Sequence, residues 1–469
     1  MKNDSYDLVV IGAGSGGLVG ARFAAKLGAR VALVERNRIG GDCTWTGCVP
    51  SKALLRAARV AHDVRSASDY GVIANAPSID MRKVRDYVRG AMQAVYRFET
   101  PEQLQADGVD VIFGAARFVD GFTIAMGERV VRSRNFLLTT GARPLIPSID
   151  GLNDVPFITY ENIFDNDVLP KKMIVVGGGP VGVEMAQAYQ RLGAQVTMVA
   201  KRLLPKEDQD VQNLMRAVLE REGISFIFEP ARSARRDGDT VAIATNRTEV
   251  RGDLLLIAAG RTPAVGGLAL DNAGVVYSAS GIAVDNRLRT NMKHIYAAGD
   301  VTGGYQFTHY AGWQAFEAVR NALLPGSSSG LTDLVPWVTF TDPEVAHIGL
   351  SAQQASARFG AGARVHRWNL DQVDRAVCEN DTSGFIKIIT KEDGMIVGAT
   401  IIAARAGEAI VELIVAMKEK MKISELAGAI HPYPTYSTAV QQMAADIAVD
   451  DLLSGASGRV VRALSRMAR

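Results

Sequence analysis

One pattern occurs twice in the sequence, and it limits the folds open to the chain. A hydrophobic run, a G-x-G-x-x-G turn, a helix-forming run and a second hydrophobic run recur at an offset of 165 residues, the separation of Gly12 from Gly177. In such a turn the first glycine allows a tight bend, the second lets backbone amides approach a pyrophosphate, and the third allows close helix packing. The glycines in these places are Gly12, Gly14 and Gly17 in the first copy and Gly177, Gly179 and Gly182 in the second. A single fingerprint is weak evidence, but two in register predict an α/β chain that binds two dinucleotides.

The two copies differ at the end of their second strand. The first copy has Glu35, a carboxylate that can accept both ribose hydroxyls of FAD or NAD. The second has Ala200, followed by Lys201 and Arg202. A site with two cations and no carboxylate favours a 2′-phosphate, so we predict NADPH in preference to NADH. The alternative is that both cations are solvated surface residues.

Two cysteines, Cys43 and Cys48, lie just after the first fingerprint and just before a helix-forming run that we place from 52 to 64. Pro50 suits a first helical turn. A helix N-terminus lowers the pKa of a thiol that it faces, so we predict Cys48 as the stabilised thiolate. Cys43 is then predicted to be the more exposed, exchanging thiol.

A structural disulfide and a metal site are the alternatives for this pair. The chain has three cysteines in 469 residues, and its first residues contain no apolar stretch typical of a secretory signal. We therefore expect a reducing, cytoplasmic location, where structural disulfides are uncommon. A zinc site needs about four ligands. No histidine lies within a dozen residues of the pair, so no metal site is predicted. The third cysteine, Cys378, is expected to be buried and inert.

Composition excludes other classes of function. With 48% hydrophobic residues and 46 glycines the chain is globular and long enough for more than one domain. A net charge of +2 gives no electrostatic reason to expect a nucleic-acid partner. No apolar run reaches the roughly 18 residues of a membrane span, so we expect a soluble protein.

The cysteine pair between two fingerprints resembles the flavoprotein disulfide reductases, the class I pyridine nucleotide-disulfide oxidoreductases that include lipoamide dehydrogenase, glutathione reductase and mercuric reductase. Four further segments are similar to motifs of that family: 137–144 and 257–263 to the two crossovers between domains, 295–301 to the second flavin motif, and 337–345 to the start of the dimerisation domain. The resemblance extends over essentially the whole chain.

This resemblance implies the domain organisation and further cofactor contacts. An FAD domain is expected at 1–148 and 267–334, an NAD(P)H domain at 149–266, and a C-terminal α+β dimerisation domain at 335–469. The fold class is α/β, with two Rossmann-like domains. Asp300 corresponds to the aspartate that holds the ribityl chain. The crossover residues carried over as cofactor-binding are Thr140, Gly141, Gly260 and Arg261.

The resemblance also implies a route for the electrons. NADPH would reduce FAD, reduced FAD would open the disulfide through Cys48, and Cys43 would pass electrons to a small-molecule acceptor. Lys52 and Glu184 correspond to an ion pair beside the flavin, although two unrelated surface charges are the alternative. The active site would be shared across a homodimer.

The C-terminal motif departs from lipoamide and glutathione reductases. Aligned on Pro434 and Thr435, the catalytic histidine of His-Pro-Thr-x-x-Glu is replaced by Tyr433 and its glutamate by Thr438. A phenol with a pKa near 10 is a poor acid for a departing thiolate, and His431, two residues earlier, is the alternative group. Tyrosine here resembles mercuric reductase, although the vicinal C-terminal cysteines of that enzyme are missing.

We therefore predict a mercuric reductase-like enzyme whose acceptor is a soft metal ion or an unusual disulfide. The alternatives are lipoamide dehydrogenase-type activity, a diaphorase or quinone reductase acting directly from flavin, and a non-enzymatic membrane-associated flavoprotein.

The tail predicts an amphipathic helix. Its arginines are Arg459, Arg462, Arg466 and Arg469, opposite Val460, Leu464 and Met467. Such a helix can contact an anionic membrane surface. The alternative interpretation, which we favour, is a solvated chain terminus.

Overall fold

A computed structural model describes residues 5–467, except for the side chains of 455–457. The strands are β1 (Ser5–Ile11), β2 (Val31–Glu35), β3 (Val109–Phe113), β4 (Arg117–Asp120), β5 (Thr123–Met126), β6 (Arg129–Leu138), β7 (Ala142–Pro144), β8 (Lys172–Val176), β9 (Gln195–Val199), β10 (Ser225–Ile227), β11 (Ser233–Asp237), β12 (Thr240–Ala244), β13 (Glu249–Gly252), β14 (Leu254–Ile257), β15 (Arg261–Pro263), β16 (Tyr277–Ser278), β17 (Gly281–Ile282), β18 (Ile295–Ala297), β19 (Trp337–Thr339), β20 (Glu344–Gly349), β21 (Ala363–Asn369), β22 (Phe385–Lys391) and β23 (Ile396–Ala403). The helices are α1 (Ser15–Lys26), α2 (Gly41–Trp45), α3 (Cys48–Arg65), α4 (Met81–Tyr96), α5 (Pro101–Ala106), α6 (Pro180–Leu192), α7 (Gln209–Arg221), α8 (Thr308–Leu323), α9 (Ala352–Phe359), α10 (Asp374–Cys378), α11 (Ala406–Ala409), α12 (Val411–Lys418), α13 (Thr438–Leu453) and α14 (Gly455–Met467).

The described residues form two compact units. One contains the chain up to Lys201 together with Gly223–Thr332, and the other contains Arg202–Glu222 together with the chain from Asp333 onward. The segment with α7 therefore belongs to the second unit, although the sequence places it inside the predicted NAD(P)H domain. The three-domain boundaries stay a prediction.

The first unit contains both predicted nucleotide-binding sheets. The larger has the strand order β3-β2-β1-β6-β5-β4, with β18 beside β6, and β1 is parallel to both β2 and β6. The smaller sheet, β10-β9-β8-β14, is parallel throughout. Alternate residues of β1 enter two separate cores, because Val10 packs on one face of the sheet and Val9 on the other. These sheets confirm the predicted α/β class.

Both glycine turns are too tight for a side chain. A Cβ on Gly12, whose φ is +104°, would lie 2.4 Å from the Thr139 carbonyl oxygen, and one on Gly177, with φ +130°, would lie 2.1 Å from the Ala258 carbonyl oxygen. A Cβ on Gly17 would lie 1.8 Å from the Gly12 carbonyl oxygen. The backbone thus requires glycine at these positions.

The two predicted crossover segments pair with each other. Strand β7 of the first is antiparallel to β15 of the second, with Arg143 opposite Thr262. The main chain returns to the larger sheet shortly afterwards, where β18 lies parallel to β6.

The second unit is built on an antiparallel sheet in the order β19-β20-β23-β22-β21. Its core includes Ile348, Ile388 and Ile401 from the sheet and Leu413 and Val440 from α12 and α13. Within residues 5–467, no helix combines the length and apolar character needed to cross a bilayer.

Helix α14 carries the predicted basic tail. The side chains of Arg459, Arg462 and Arg466 are exposed on it, whereas Arg469 lies outside the described residues. Val460 and Leu464 are exposed as well, at 57% and 60%. Contact with a membrane surface stays a prediction.

Candidate active site

The two cysteines lie in successive short elements of the first unit. Cys43 is inside α2, and Cys48 is the first residue of α3. Helix α3 begins four residues before the predicted start at Lys52, with Pro50 in its first turn. Cys48 therefore sits where the backbone N–H groups of a helix have no intrahelical acceptor and favour a negative charge.

The structure makes Cys48 the more acidic thiol. No disulfide joins the two residues in this structure. A hydrogen bond with Cys43 lowers the pKa of Cys48 to about 6, aided by the Thr308 hydroxyl and the charge of Lys52, although burial opposes the shift. The same thiol–thiol hydrogen bond raises the pKa of Cys43. Cys48 Sγ lies 3.1 Å from Thr308 Oγ1, so a hydroxyl at the first residue of α8 acts with the N-terminus of α3 on one sulfur.

The predicted exposure of the pair is wrong. Cys48 is exposed and Cys43 only partly so. Cys43 lies within α2, where the side chains of Ser15 and Thr308 hydrogen-bond to it, whereas Cys48 starts its helix. The order of exchange between the two sulfurs stays a prediction.

The structure brings the predicted ion pair together. Lys52 Nζ lies 2.9 Å from Glu184 Oε2, linking α3 to α6. The Glu184 side chain is 7% exposed and that of Lys52 is 36% exposed. A buried carboxylate paired with a lysine one helical turn from Cys48 is a charged group fixed close to the reactive sulfur. Its role beside a flavin stays a prediction.

Arg261, predicted to bind the cofactor, is held between two carboxylates. Its Nη1 lies 2.7 Å from Oδ2 of the buried Asp300, and its Nη2 forms an ion pair with Asp42, the residue before Cys43. The Tyr160 hydroxyl accepts from Arg261 Nε at 3.3 Å. Burial raises the pKa of Asp300, and Arg261 opposes that rise.

The residues around the first fingerprint fit a dinucleotide such as FAD. Glu35 ends β2 and its Oε2 accepts from the Ala13 N–H at 2.8 Å, which fixes the carboxylate beside the glycine turn. A Cβ on Gly14 would have only Gly41 Cα nearby, at 3.7 Å, so the face of this turn is open. In the crossovers, the Thr140 hydroxyl donates to the Ala264 carbonyl at 2.9 Å. Gly141 and Gly260 have φ values of +72° and +131°.

The second fingerprint fits a dinucleotide in the same way. Gly179 precedes α6, and a Cβ there would meet nothing within 4 Å, which leaves the helix N-terminus open to a pyrophosphate. Ala200 follows β9 and donates its N–H to the Ile227 carbonyl at 3.1 Å. Lys201 and Arg202 are both exposed.

In the second unit, the two candidate acid–base groups have separate carboxylate partners. The Tyr433 hydroxyl donates to Asp374, and this hydrogen bond raises the pKa of Tyr433. His431 Nε2 lies 2.7 Å from Glu412 Oε2. Burial lowers the pKa of His431, but the hydrogen bonds to Glu412 and to the Ala429 carbonyl, together with the charge of Glu412, raise it by more, so the net shift is upward. Which of the two acts in the reaction stays a prediction.

The prediction that Cys378 is buried is wrong. It is exposed at the end of α10, the short helix that also contains Asp374. Among the described residues, no group of three or more histidine, cysteine or acidic side chains could hold a metal ion.

Comparison with known families identifies the chain. The model of the family described as pyridine nucleotide-disulphide oxidoreductase matches residues 6–315, and that of the family's dimerisation domain matches residues 335–444. The chain belongs to the pyridine nucleotide-disulphide oxidoreductase family. It is therefore an FAD-dependent oxidoreductase with a redox-active pair at Cys43 and Cys48.

Curated relatives of this oxidoreductase include mercuric reductases. That of Shigella flexneri is 36% identical over 451 residues, covering 92% of this chain and 79% of the relative. That of Streptomyces lividans is 34% identical over 454 residues, covering 93% and 95%.

Solved structures of similar fold include two further proteins. The HOCl-induced flavoprotein disulfide reductase RclA of Escherichia coli has a TM-score of 0.85 and 27% identity, covering 94% of this chain and 99% of that one. RclA has also been solved as a Cu(II) complex. LpdA of Mycobacterium tuberculosis has a TM-score of 0.86 and 28% identity, covering 94% and 99%.

Sequence reasoning missed three residues of this oxidoreductase's site. Asp42 stands directly before Cys43, so its position was a usable signal. Thr308 and Tyr160 belong to none of the motifs, and only the fold brings them near the cysteine loop.

Proposed function

We propose that this oxidoreductase reduces a soft metal ion or an unusual disulfide through Cys43 and Cys48, with NADPH as the preferred electron donor. The observation that carries the proposal is a thiol of low pKa, Cys48, hydrogen-bonded to a second thiol. At neutral pH Cys48 is a thiolate, and thiolates bind soft metal ions and attack disulfides.

The chain's own residues prepare this chemistry in defined ways. Thr308 and Lys52 stabilise the negative charge on Cys48, and Cys43 provides the neighbouring S–H group. Bound FAD supplies two-electron exchange between a reduced pyridine nucleotide and the cysteine pair. Glu35, Asp300 and the first glycine turn are the groups expected to hold it.

The C-terminal motif favours an acceptor other than lipoamide or glutathione disulfide. The hydroxyl of Tyr433 donates to Asp374, which raises its pKa and makes it a weaker acid than a free phenol. A thiol leaving group is best served by an acid that titrates near neutrality, whereas a metal ion bound to thiolates needs no such proton donor. The mercuric reductases among the relatives and the Cu(II) complex of RclA support this acceptor class.

The cofactor preference rests on the second fingerprint. Ala200 replaces the carboxylate that Glu35 provides in the first copy, and Lys201 and Arg202 follow it. The expected ratio of kcat/KM is in favour of NADPH, and an equal or higher value for NADH would refute this part of the proposal.

A shared active site requires a homodimer. The dimerisation-domain match over residues 335–444 supports this assembly, in which Tyr433 and His431 would approach the cysteines of the other subunit. Size-exclusion chromatography with light scattering should give twice the chain mass of 50.2 kDa.

One assay tests the acceptor. NADPH oxidation is measured with Hg(II), Cu(II), lipoamide, glutathione disulfide and quinones, on the wild type and on Cys43→Ser. We expect turnover with a soft metal ion that Cys43→Ser abolishes. Turnover confined to quinones and retained in Cys43→Ser would show a diaphorase instead. Turnover with lipoamide would show that replacing the family's histidine by Tyr433 does not prevent disulfide reduction.

A further inference from the structure

The loop that carries the reactive cysteines is tied to the rest of the first unit by a charged group without an assigned role. Asp42 lies in the first turn of α2, next to Cys43. Its carboxylate pairs with Arg261, a residue 219 positions later on β15. An ion pair between such distant parts of the chain fixes the position of a helix that is only five residues long.

Several side chains hold the guanidinium of Arg261 in place. Arg261 also pairs with Asp300 at 2.7 Å and stands 5.1 Å from the centre of the Tyr160 ring. The Tyr160 hydroxyl accepts from Arg261 Nε and lies 3.5 Å from Asp42 Oδ2. The Arg261 and Asp300 side chains are 24% and 11% exposed, whereas the Asp42 side chain is 39% exposed, so Asp42 is the outer carboxylate of the two.

The start of α2 has little freedom on its other side. A Cβ on Gly41 would lie 2.6 Å from Gly14 Cα, which shows direct backbone contact with the first fingerprint. Thr44 donates to Glu99 Oε2 at 2.8 Å. Asp42 thus completes a set of contacts that hold the helix of Cys43 in place.

We propose that Asp42 is a positioning residue that holds Cys43 against Cys48 and thereby sets the redox potential of the pair. This inference rests on the proposed function, because it assumes that the pair opens and closes. Closing joins the two sulfurs and releases two electrons and two protons, or one proton when Cys48 is already a thiolate. The acceptor of the electrons is bound FAD or the final substrate.

The direction of the effect follows from effective concentration. A thiol that is held beside its partner forms the disulfide more readily than one that moves away. Loss of the Asp42 anchor lowers the effective concentration of Cys43, so the pair becomes easier to reduce. A roughly tenfold loss corresponds to a midpoint potential about 30 mV less negative for a two-electron couple.

The test is a redox titration of the FAD-loaded full-length enzyme in thiol–disulfide buffers, with the thiols counted by maleimide mass tagging. The variant is Asp42→Asn, and the matched control is Glu161→Gln, an exposed carboxylate whose charge also acts on the neighbouring Tyr160. We expect the midpoint of Asp42→Asn to move by about 30 mV, with FAD content and flavin potential unchanged because the Arg261–Asp300 pair remains. Glu161→Gln is expected to titrate as the wild type.

Two results would overturn the inference: an unchanged midpoint in Asp42→Asn, or an equal shift in Glu161→Gln, which would show a general charge effect. If Asp42→Asn does not fold, Tyr160→Phe removes one hydroxyl from the same network, and a shift of the same sign but smaller size is expected. A wild type with no reversible disulfide would overturn the proposed function itself, and with it this inference.

Discussion

At the scale of single residues, the hydroxyl of Thr308 has the most direct effect on the chemistry of Cys48. It lies 3.1 Å from the sulfur and helps to lower its pKa to about 6. A thiolate that loses one hydrogen-bond donor becomes less stable, by about 1.5 kcal/mol for a donor to a charged group, which is about one pKa unit.

Thr308→Val should therefore raise the pKa of Cys48 by about one unit. The rate of alkylation of the reduced enzyme by iodoacetamide follows the thiolate fraction, so its midpoint in a pH series measures this pKa. In the wild type the rate should rise through about pH 6. Ser351→Ala, a change in the other unit, serves as a control, and an unshifted midpoint in Thr308→Val would show that the hydroxyl has no part in the acidity.

Lys52 offers a second test at this scale. Lys52→Ala leaves the carboxylate of Glu184 buried without this partner and removes a positive charge that favours the Cys48 thiolate. We expect flavin reduction by NADPH in stopped flow to slow roughly tenfold, equivalent to about 1.4 kcal/mol. The double variant with Glu184→Gln should recover stability but not the rate, and a normal rate in Lys52→Ala would remove the pair from the mechanism.

At the scale of secondary-structure elements, the features that could be predicted from the sequence are those determined by residues close together in the chain. Both fingerprints predict their strands and helices because tight turns and apolar runs are local features. The approach of Asp42 to Arg261 could not be predicted, since 219 residues separate them and no spacing rule joins them. Cys48 and Thr308 are 260 positions apart. The exposure of Cys43 and Cys378 was predicted wrongly, because a cysteine has no local signal for the packing around it.

One buried group in the second unit should make stability depend on pH. Burial raises the pKa of Glu207 to about 7, and the Trp337 indole N–H that bonds to its Oε1 at 2.6 Å opposes this rise. Among the described residues its Oε2 has no hydrogen-bond partner. The folded state therefore binds the proton of the Glu207 carboxyl group more tightly than the unfolded state does. The stability that this protonation contributes is lost as pH rises from about 4.5 to about 7.

Glu207→Gln should flatten this dependence and raise the Tm above pH 7, because glutamine stays neutral and still accepts from Trp337. The difference in free energy of unfolding is on the order of 3 kcal/mol. Thermal unfolding of both proteins between pH 5 and 8 checks it, with the exposed Glu392→Gln as the control. Parallel Tm profiles for wild type and Glu207→Gln would contradict the assignment.

At the scale of the whole molecule, the segment Arg202–Glu222 belongs to the same unit as the C-terminal part of the chain. Lys387, whose side chain is 3% exposed, lies 2.8 Å from both Asp208 and Asp210 of that segment. Leaving a buried charge with no partner costs about 3 to 5 kcal/mol, and removing Asp208 costs less than this because Lys387 keeps Asp210, whose side chain is 37% exposed. These contacts predict that the two fragments stay associated when the chain is cleaved just before residue 333.

A protease site inserted between the exposed Gly326 and Ser327 tests this expectation. After cleavage, the two fragments should elute together in size-exclusion chromatography, since the first fragment still supplies the carboxylates for Lys387. The cleaved Asp208→Ala protein should separate at lower denaturant concentrations. Separation of the unmutated fragments in buffer alone would contradict the prediction.

One unit is thus made of two separate parts of the chain, 202–222 and 333–469. This limits how such a protein can be altered by recombination. A gene segment that encodes residues 333–469 could not be exchanged as a cassette, because Lys387 and Trp337 would arrive without Asp208, Asp210 and Glu207. A functional chimera would need a second, internal crossover around residues 202–222. The residues of segment 202–222 and the residues of 333–469 that contact them are therefore expected to change together during evolution.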